Sequence, residues 1–253
     1  MPVTRTMATI TALHLRRLRQ VWRSAGWPCQ DLVEVELLAE GLLERLLEDG
    51  GRERLRLSDS GLRVLAASLQ QQRGRRDAHE TLVARVVLEM QRAGRLAWRG
   101  LALRAPLPRE DAPGQLRWVQ AQPDVYSLRH TSVPSYLDVA IHEIKVSRAD
   151  LLAELRRPAK SAAYQALCSQ CWFVLKRGIA EPQEIPERFG VLLADADRLE
   201  LARPAPRRAH QPDFATWMAL ARLGCEPGSD EDMQRQLGDT GHMGELDEGE
   251  PPP

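Results

Sequence analysis

Apolar positions recur at helical spacing early in the chain and at strand-like spacing in its middle. Over residues 11–26, Leu13, Leu15, Leu18, Val21 and Trp22 fit a helix. Residues 31–40 read as a second helix, with Asp31 as its N-cap. Two apolar and charged runs, 42–47 and 53–58, flank Asp49, Gly50 and Gly51, which is a hairpin signal. Asp59, Ser60 and Gly61 open another helix through Leu62, Val64, Leu65 and Leu69. A further amphipathic helix spans 77–93 with Leu82, Val83, Val86, Val87 and Met90. Strands follow at 95–104, 117–129 and 136–147, the last two joined by a turn at 131–135. Residues 147–170 are helical, and Pro158 divides them into two abutting helices, because proline suits a first turn and not an interior. Strands at 171–175, 190–194 and 199–202 and a helix at 212–223 complete the pattern.

These elements group into three segments. Residues 1–75 are helix-rich, 76–225 alternate helix and strand, and 226–253 form an acidic tail expected to be disordered. The expected class is therefore α/β (α+β). At 253 residues the chain is long enough for a proper core. No run reaches the length of a membrane span and no signal-peptide core opens the chain, so a cytoplasmic location without membrane contact is expected. Cys29, Cys168, Cys171 and Cys225 are too sparse for a disulfide framework. Cys168 and Cys171 lack the second ligand pair that a structural zinc needs, and core packing is their expected role.

The balanced formal charge hides a split. Residues 226–253 contain nine acids and only Arg235, which leaves 34 basic and 26 acidic residues before them, or +8 against −8. A basic body suits a phosphate-rich partner such as DNA. The acidic tail either solubilises the chain or docks on that body and competes with nucleic acid. Nearly all the positive charge is arginine, and the only lysines are Lys145, Lys160 and Lys176. An ammonium is a compact charge that can contact a water and shift its pKa, which a guanidinium cannot do. Lysine at position 145 therefore asks for a chemical reason.

Pro123 and Asp124 precede one strand, and Glu143 and Lys145 lie two apart on the next. A turn centred between Val133 and Pro134 sets Asp124 opposite Glu143, about 4.5–5.5 Å apart at Cβ. Two carboxylates that close repel unless a cation lies between them. Oxygen ligands suit Mg²⁺ or Mn²⁺. Residues two apart share a strand face, so Lys145 points with Glu143. Asp124, Glu143 and the Ile144 carbonyl are thus candidate metal ligands, with Asp124, Glu143 and Lys145 as the catalytic set. His142 faces the opposite side, where packing is its expected role, and Asp138 on that side, near the strand's start, is expected to be exposed.

Asp124, Val125 and Leu128, then Glu143, Ile144, Lys145, Val146 and Ser147, then Ala149 and Asp150, Lys160 and Tyr164, and Cys171, Trp172 and Phe173 resemble the PD-(D/E)XK nuclease superfamily. Within it they resemble the MmcB-like group of bacterial DNA-repair endonucleases. The resemblance covers residues 122–178. It implies a restriction-endonuclease-like α-β-β-β-α-β core and metal-dependent hydrolysis of DNA phosphodiesters. It also implies a metal-reaching Glu on the first core helix, for which Glu80 is the candidate, a solvated surface Glu being the other reading. Arg148, Arg157, Lys160 and Tyr164 become candidates for gripping a phosphate backbone, with ordinary surface charge and a half-buried Tyr as the alternative.

The segment from Leu38 to Leu62 resembles the wing region of winged helix-turn-helix proteins. Its would-be recognition helix carries Asp31, Glu34, Glu36 and Glu40 and would repel DNA. Arg16, Arg17, Arg19 and Arg23, or Arg52, Arg54 and Arg56, are better DNA contacts, and protein contact or dimerisation is the other use of such a module. The rival to a nuclease is a non-catalytic DNA- or protein-binding regulator.

Overall fold

A computed structural model of the chain describes residues 9–24, 26–48, 50–109, 111–112 and 114–227. Asp49 of the expected turn and residues 228–253 of the acidic segment lie outside the described residues. The chain divides into two compact units between Asp77 and Ala78.

The first unit begins with α1 (Ala12–Arg23), capped by Thr11, and α2 (Leu32–Ala39), capped by Asp31. Strands β1 (Leu43–Glu48) and β2 (Arg52–Leu57) pair antiparallel, Leu43 opposite Leu57 and Glu48 opposite Arg52. Helix α3 (Asp59–Arg92) follows. Leu18, Val21, Leu37, Leu43, Leu55 and Leu65 are buried together as this unit's core. Gly61 is required at the start of α3, because a Cβ there would stand 2.1 Å from the Leu42 carbonyl oxygen. The acids of α2 have structural roles. Asp31 accepts the Glu34 N–H and pairs with Arg17. Buried Glu34 accepts the N–H groups of Cys29 and Gln30. Glu36 meets His14 at 2.7 Å. On the hairpin, Arg54 pairs with Glu48 at 2.9 Å and Arg56 with Glu44 at 2.8 Å.

The sequence predicts two helices over 59–93, and the structure has one of 34 residues. Gly74 costs a helix interior only about 1 kcal/mol, and no proline interrupts the run. Two expected strands are each split. Residues 95–104 become β3 (Arg95–Arg99) and the start of β4 (Leu103–Pro108), separated at Gly100 with φ +61°. Residues 117–129 become β5 (Leu116–Ala121) and β6 (Val125–Arg129), separated at Gln122, Pro123 and Asp124. Strands β4 and β5 pair with each other as a separate two-stranded ribbon.

The remaining elements are β7 (Val139–Lys145), α4 (Arg148–Leu155), α5 (Pro158–Ala166), β8 (Gln170–Lys176), β9 (Gly190–Ala194), β10 (Leu199–Arg203) and α6 (Phe214–Leu223). They give the second unit a mixed six-stranded sheet in the order β10-β9-β8-β7-β6-β3. β3, β6 and β7 run antiparallel, while β7, β8 and β9 run parallel. Pro158 opens α5 at its first turn, where its missing N–H costs nothing. Both sheet faces are covered, so all seven residues of β7 are buried. Leu82, Val83, Val86 and Val87 of α3 pack on Val125, Ile144 and Val174. Leu151 of α4, Ala163 and Tyr164 of α5, and the ribbon's Leu103, Ala105 and Leu107 join Tyr126, Ile141 and Phe173 in the other layer.

His142 lies on the α3 face, buried, stacked on Trp172 with ring centroids 6.4 Å apart. Burial, with the Arg95 charge second, pushes its pKa down to about 3. The unfolded chain takes up this proton near pH 6.5, and the native state does not until about pH 3. Stability should therefore fall as pH drops through that window, by up to about 1.4 kcal/mol per pH unit from this group. His142→Phe should flatten the acid side of a urea-midpoint profile taken between pH 7 and 4. An unchanged slope contradicts this account. Asp138, expected at the surface, is buried instead and meets Arg95 at 2.8 Å.

Candidate active site at the end of the central hairpin

Residues on β6 and β7 pair in the register that the sequence predicts, with Val125 opposite His142 and Tyr126 opposite Ile141. The ladder stops at Val125, one residue short of Asp124. Past that end, the Asp124 carboxylate accepts the Ile144 N–H at 2.7 Å. A strand residue's N–H and C=O share one edge, so the Ile144 carbonyl also points past the end of β6. Glu143 and Lys145 share the opposite sheet face from Ile144.

Glu143 is 3% exposed. One of its oxygens accepts Lys145 Nζ at 2.6 Å and Lys160 Nζ at 2.9 Å. Its other oxygen, Oε2, is buried with no hydrogen-bond partner. Glu143 and Lys145 thus form an interior ion pair. Lys160 reaches it from α5 and also donates to Glu154 at 2.8 Å. Lys145 lies 3.8 Å from the same Glu154 oxygen. Burial works against the charge on Lys160, but Glu143 and Glu154 outweigh it and raise its pKa. Lys160 also sits 5.1 Å from the Tyr164 ring centroid. Tyr164 is buried, and its hydroxyl donates to the Gln122 carbonyl at 2.9 Å, tying the Asp124 loop to α5. Burial, then the neighbouring Glu143 carboxylate, raise the Tyr164 pKa.

His79 completes the Asp124 side, 3.4 Å from its carboxylate and 3.5 Å from Glu80. Burial opposes ionisation of Asp124, yet the His79 and Ile144 hydrogen bonds and the Lys145 charge hold its pKa below the usual carboxylate value. The Asp124 hydrogen bond in turn raises the His79 pKa. Glu80 is 65% exposed and lines an open cleft with Arg99, Gln122, Asp124 and Glu226. Arg99 pairs with Glu226 at 2.8 Å. Arg148 is already engaged, holding Glu184 at 2.6 Å and the Ile179 carbonyl at 3.0 Å, and it keeps the Glu184 pKa near 2. Arg157 is exposed just before α5.

Two contributors escaped the sequence reading. His79 had a signal: it shares the spacing of Leu82, Val83 and Val86 and so faces the sheet. Glu154 had none, because Pro158 separates its helix from that of Lys160.

The donor set can be weighed against the divalent cation that the nuclease resemblance implies. Among the described residues, no three His, Cys, Asp or Glu side chains gather at metal-binding distance. What is present is two carboxylates and one carbonyl, the sparse oxygen set of a Mg²⁺ or Mn²⁺ that retains several waters. The orphaned Glu143 oxygen leaves one acceptor for such an ion. Asp124, Glu143 and Glu154 against Lys145 and Lys160 leave one negative charge in excess, which His79, 3.4 Å from Asp124, cancels when it is protonated. Oxygen donors of this kind suit a hydrated Mg²⁺ or Mn²⁺.

No family model matches the chain, and no curated protein matches it. Among solved structures the chain is similar to the SPO1766 protein of unknown function from Silicibacter pomeroyi. The two are 21% identical with a TM-score of 0.37, covering 66% of this chain and 94% of that chain.

The two Cys residues at 168 and 171 are buried, free thiols. No helix among the described residues is long and apolar enough to cross a membrane.

Proposed function

We propose that the second unit is a metal-dependent nuclease of the PD-(D/E)XK type, hydrolysing DNA phosphodiesters in repair, with an MmcB-like core. The observation that carries this reading is the Asp124 carboxylate on the Ile144 N–H, next along the strand to the buried Glu143–Lys145 pair, with one Glu143 oxygen left over. Asp124, Glu143 and the Ile144 carbonyl would hold Mg²⁺ or Mn²⁺. When bound, that ion supplies Lewis-acid stabilisation and a more acidic water. Lys145 holds fixed positive charge for the scissile phosphate and orients the attacking water. Glu154 and Lys160 keep Lys145 and Glu143 in place. Glu80, on the open cleft, belongs to the substrate side of Asp124. The order α1-α2-β1-β2-α3 supports a winged-helix reading of the first unit. Asp31 and Glu34 hold the start of α2, and Asp31 and Glu36 engage Arg17 and His14 of α1, so this module's contacts with DNA fall to Arg16, Arg23 and Arg52.

One observation favours the rival, a binding protein that does not cut. Glu143, Glu154 and the two lysines neutralise one another without a cation. Incubating the protein with single-stranded, duplex, branched and damaged DNA in Mg²⁺ and in Mn²⁺ separates the two. Metal-dependent cutting of one substrate supports the nuclease, and intact products throughout support the rival.

The acidic segment begins at the cleft. The Glu226 N–H donates to the Ala97 carbonyl at 2.8 Å, and Gln91 donates to the carbonyls of Glu226 and Pro227. Removing residues 228–253 should tighten DNA binding roughly tenfold at 50 mM salt and much less at 300 mM, where screening is stronger. Equal affinity of both forms at low salt leaves the segment without this role.

A further inference from the structure

The β4–β5 ribbon has two unlike faces. Its inner face, Leu103, Ala105 and Leu107, is buried against the core beside α5. The register sets Arg104 opposite Gln120, Pro106 opposite Trp118 and Pro108 opposite Leu116, all on the outer face. Trp118 is 51% exposed there, with the Arg104 guanidinium 5.8 Å from its ring centroid. Arg104 is the charged side chain of that outer face; Arg117 stands opposite Leu107 and alternates to the other face, and Arg109, just beyond β4, is paired with Asp111. The face thus presents one exposed indole with one guanidinium beside it.

We propose that this face is a stacking platform for unpaired bases of single-stranded DNA. An exposed indole flanked by arginine suits a base between two phosphates: the ring takes the base face and the guanidinium the backbone. Continuity with the candidate site supports this occupant. Gln122 follows β5 directly, and Tyr164 fixes its carbonyl at 2.9 Å. Trp118 lies six residues before Asp124, at most about 20 Å along an extended strand. A strand stacked on Trp118 therefore reaches Asp124 within a few nucleotides. A peptide adding a strand to the ribbon is the weaker occupant. Pro106 and Pro108 carry no N–H, and their positions on β4 leave its free edge short of donors.

The inference rests on the nuclease reading only for its link to Asp124, and binding tests it apart from cleavage. The full chain, Trp118→Ala and Trp118→Phe are titrated into labelled oligo(dT) and a blunt duplex of equal length, in EDTA, with anisotropy as the readout. Trp118→Ala should weaken oligo(dT) binding about tenfold, equivalent to about 1.4 kcal/mol. It should leave the duplex nearly unaffected, and Trp118→Phe should retain most of the affinity. Thermal melting checks that the exposed substitution leaves the fold intact. Unchanged oligo(dT) affinity, or equal loss on both DNAs, overturns the assignment, and a protein-binding ribbon then takes its place. If that happens while Lys145→Ala still stops cleavage, the platform falls and the nuclease stands. Loss of oligo(dT) affinity in a protein that cuts nothing keeps the platform and removes the nuclease.

Discussion

Lys145→Ala should lower metal-dependent DNA cleavage by about 10²- to 10³-fold, the usual cost of removing one preorganised charge from a transition state. DNA binding should change little, because Lys145 is buried and makes its contacts inward to Glu143 and Glu154. The fold should also survive. Glu143 keeps Lys160 at 2.9 Å, so the buried carboxylate is not stranded. Lys145→Arg should not restore cutting, since a guanidinium is broader and planar and cannot take the place of a compact ammonium. Lys160→Ala should behave differently. Its amine is more exposed than that of Lys145 and joins the same two acids, so its loss should loosen the network and cost less than the loss of Lys145. Single-turnover rates and anisotropy on one substrate separate these effects. Wild-type rates in Lys145→Ala at saturating Mg²⁺ would remove the lysine from the chemistry and, with it, the main reason to treat this cluster as catalytic.

The hairpin that gathers this cluster was legible because its register depends on local signals: two apolar strands and a short connection containing Pro134. A one-residue slip would have turned Glu143 to the other face. The Asp124 end was less legible. A continuous strand was expected over 117–129, but Pro123 breaks it, and β5 leaves the sheet for its own ribbon. That break frees the Asp124 carboxylate to reach the Ile144 N–H, a contact that no strand pattern encodes. Alternation also misjudged Asp138. Its period places it beside Ala140 and His142, but its burial depends on Arg95, more than forty residues away. Glu154 was hidden in the same way, since its partners Lys145 and Lys160 come from two other elements. Local periodicity found the strands and helices; the charges that meet between elements required the tertiary fold.

Arg95→Ala should destabilise the second unit by about 3–5 kcal/mol, the cost of stranding a buried charge. Arg95 donates to the Ser127 hydroxyl at 2.9 Å and to the Ser127 carbonyl at 3.2 Å. It also donates to the Asp138 carboxylate at 2.8 Å and the Asp138 carbonyl at 2.9 Å. The side chain therefore ties edge strand β3 to β6 and to the residue before β7. Without it, Asp138 would keep only Arg207 at 3.4 Å, a side chain that is itself 61% exposed. At the size of this unit the loss should lower the melting temperature by roughly 10 °C. A double replacement discriminates the cause. If the cost comes from the stranded carboxylate, Arg95→Leu with Asp138→Leu should recover much of the stability, because an apolar pair can replace a buried ion pair at little cost. If the cost comes instead from the lost links to Ser127, the double variant should melt as low as Arg95→Ala. A melting temperature within a degree or two of wild type in Arg95→Ala would mean that Arg207 alone can carry Asp138, and that the edge strand is held by its ladder with β6.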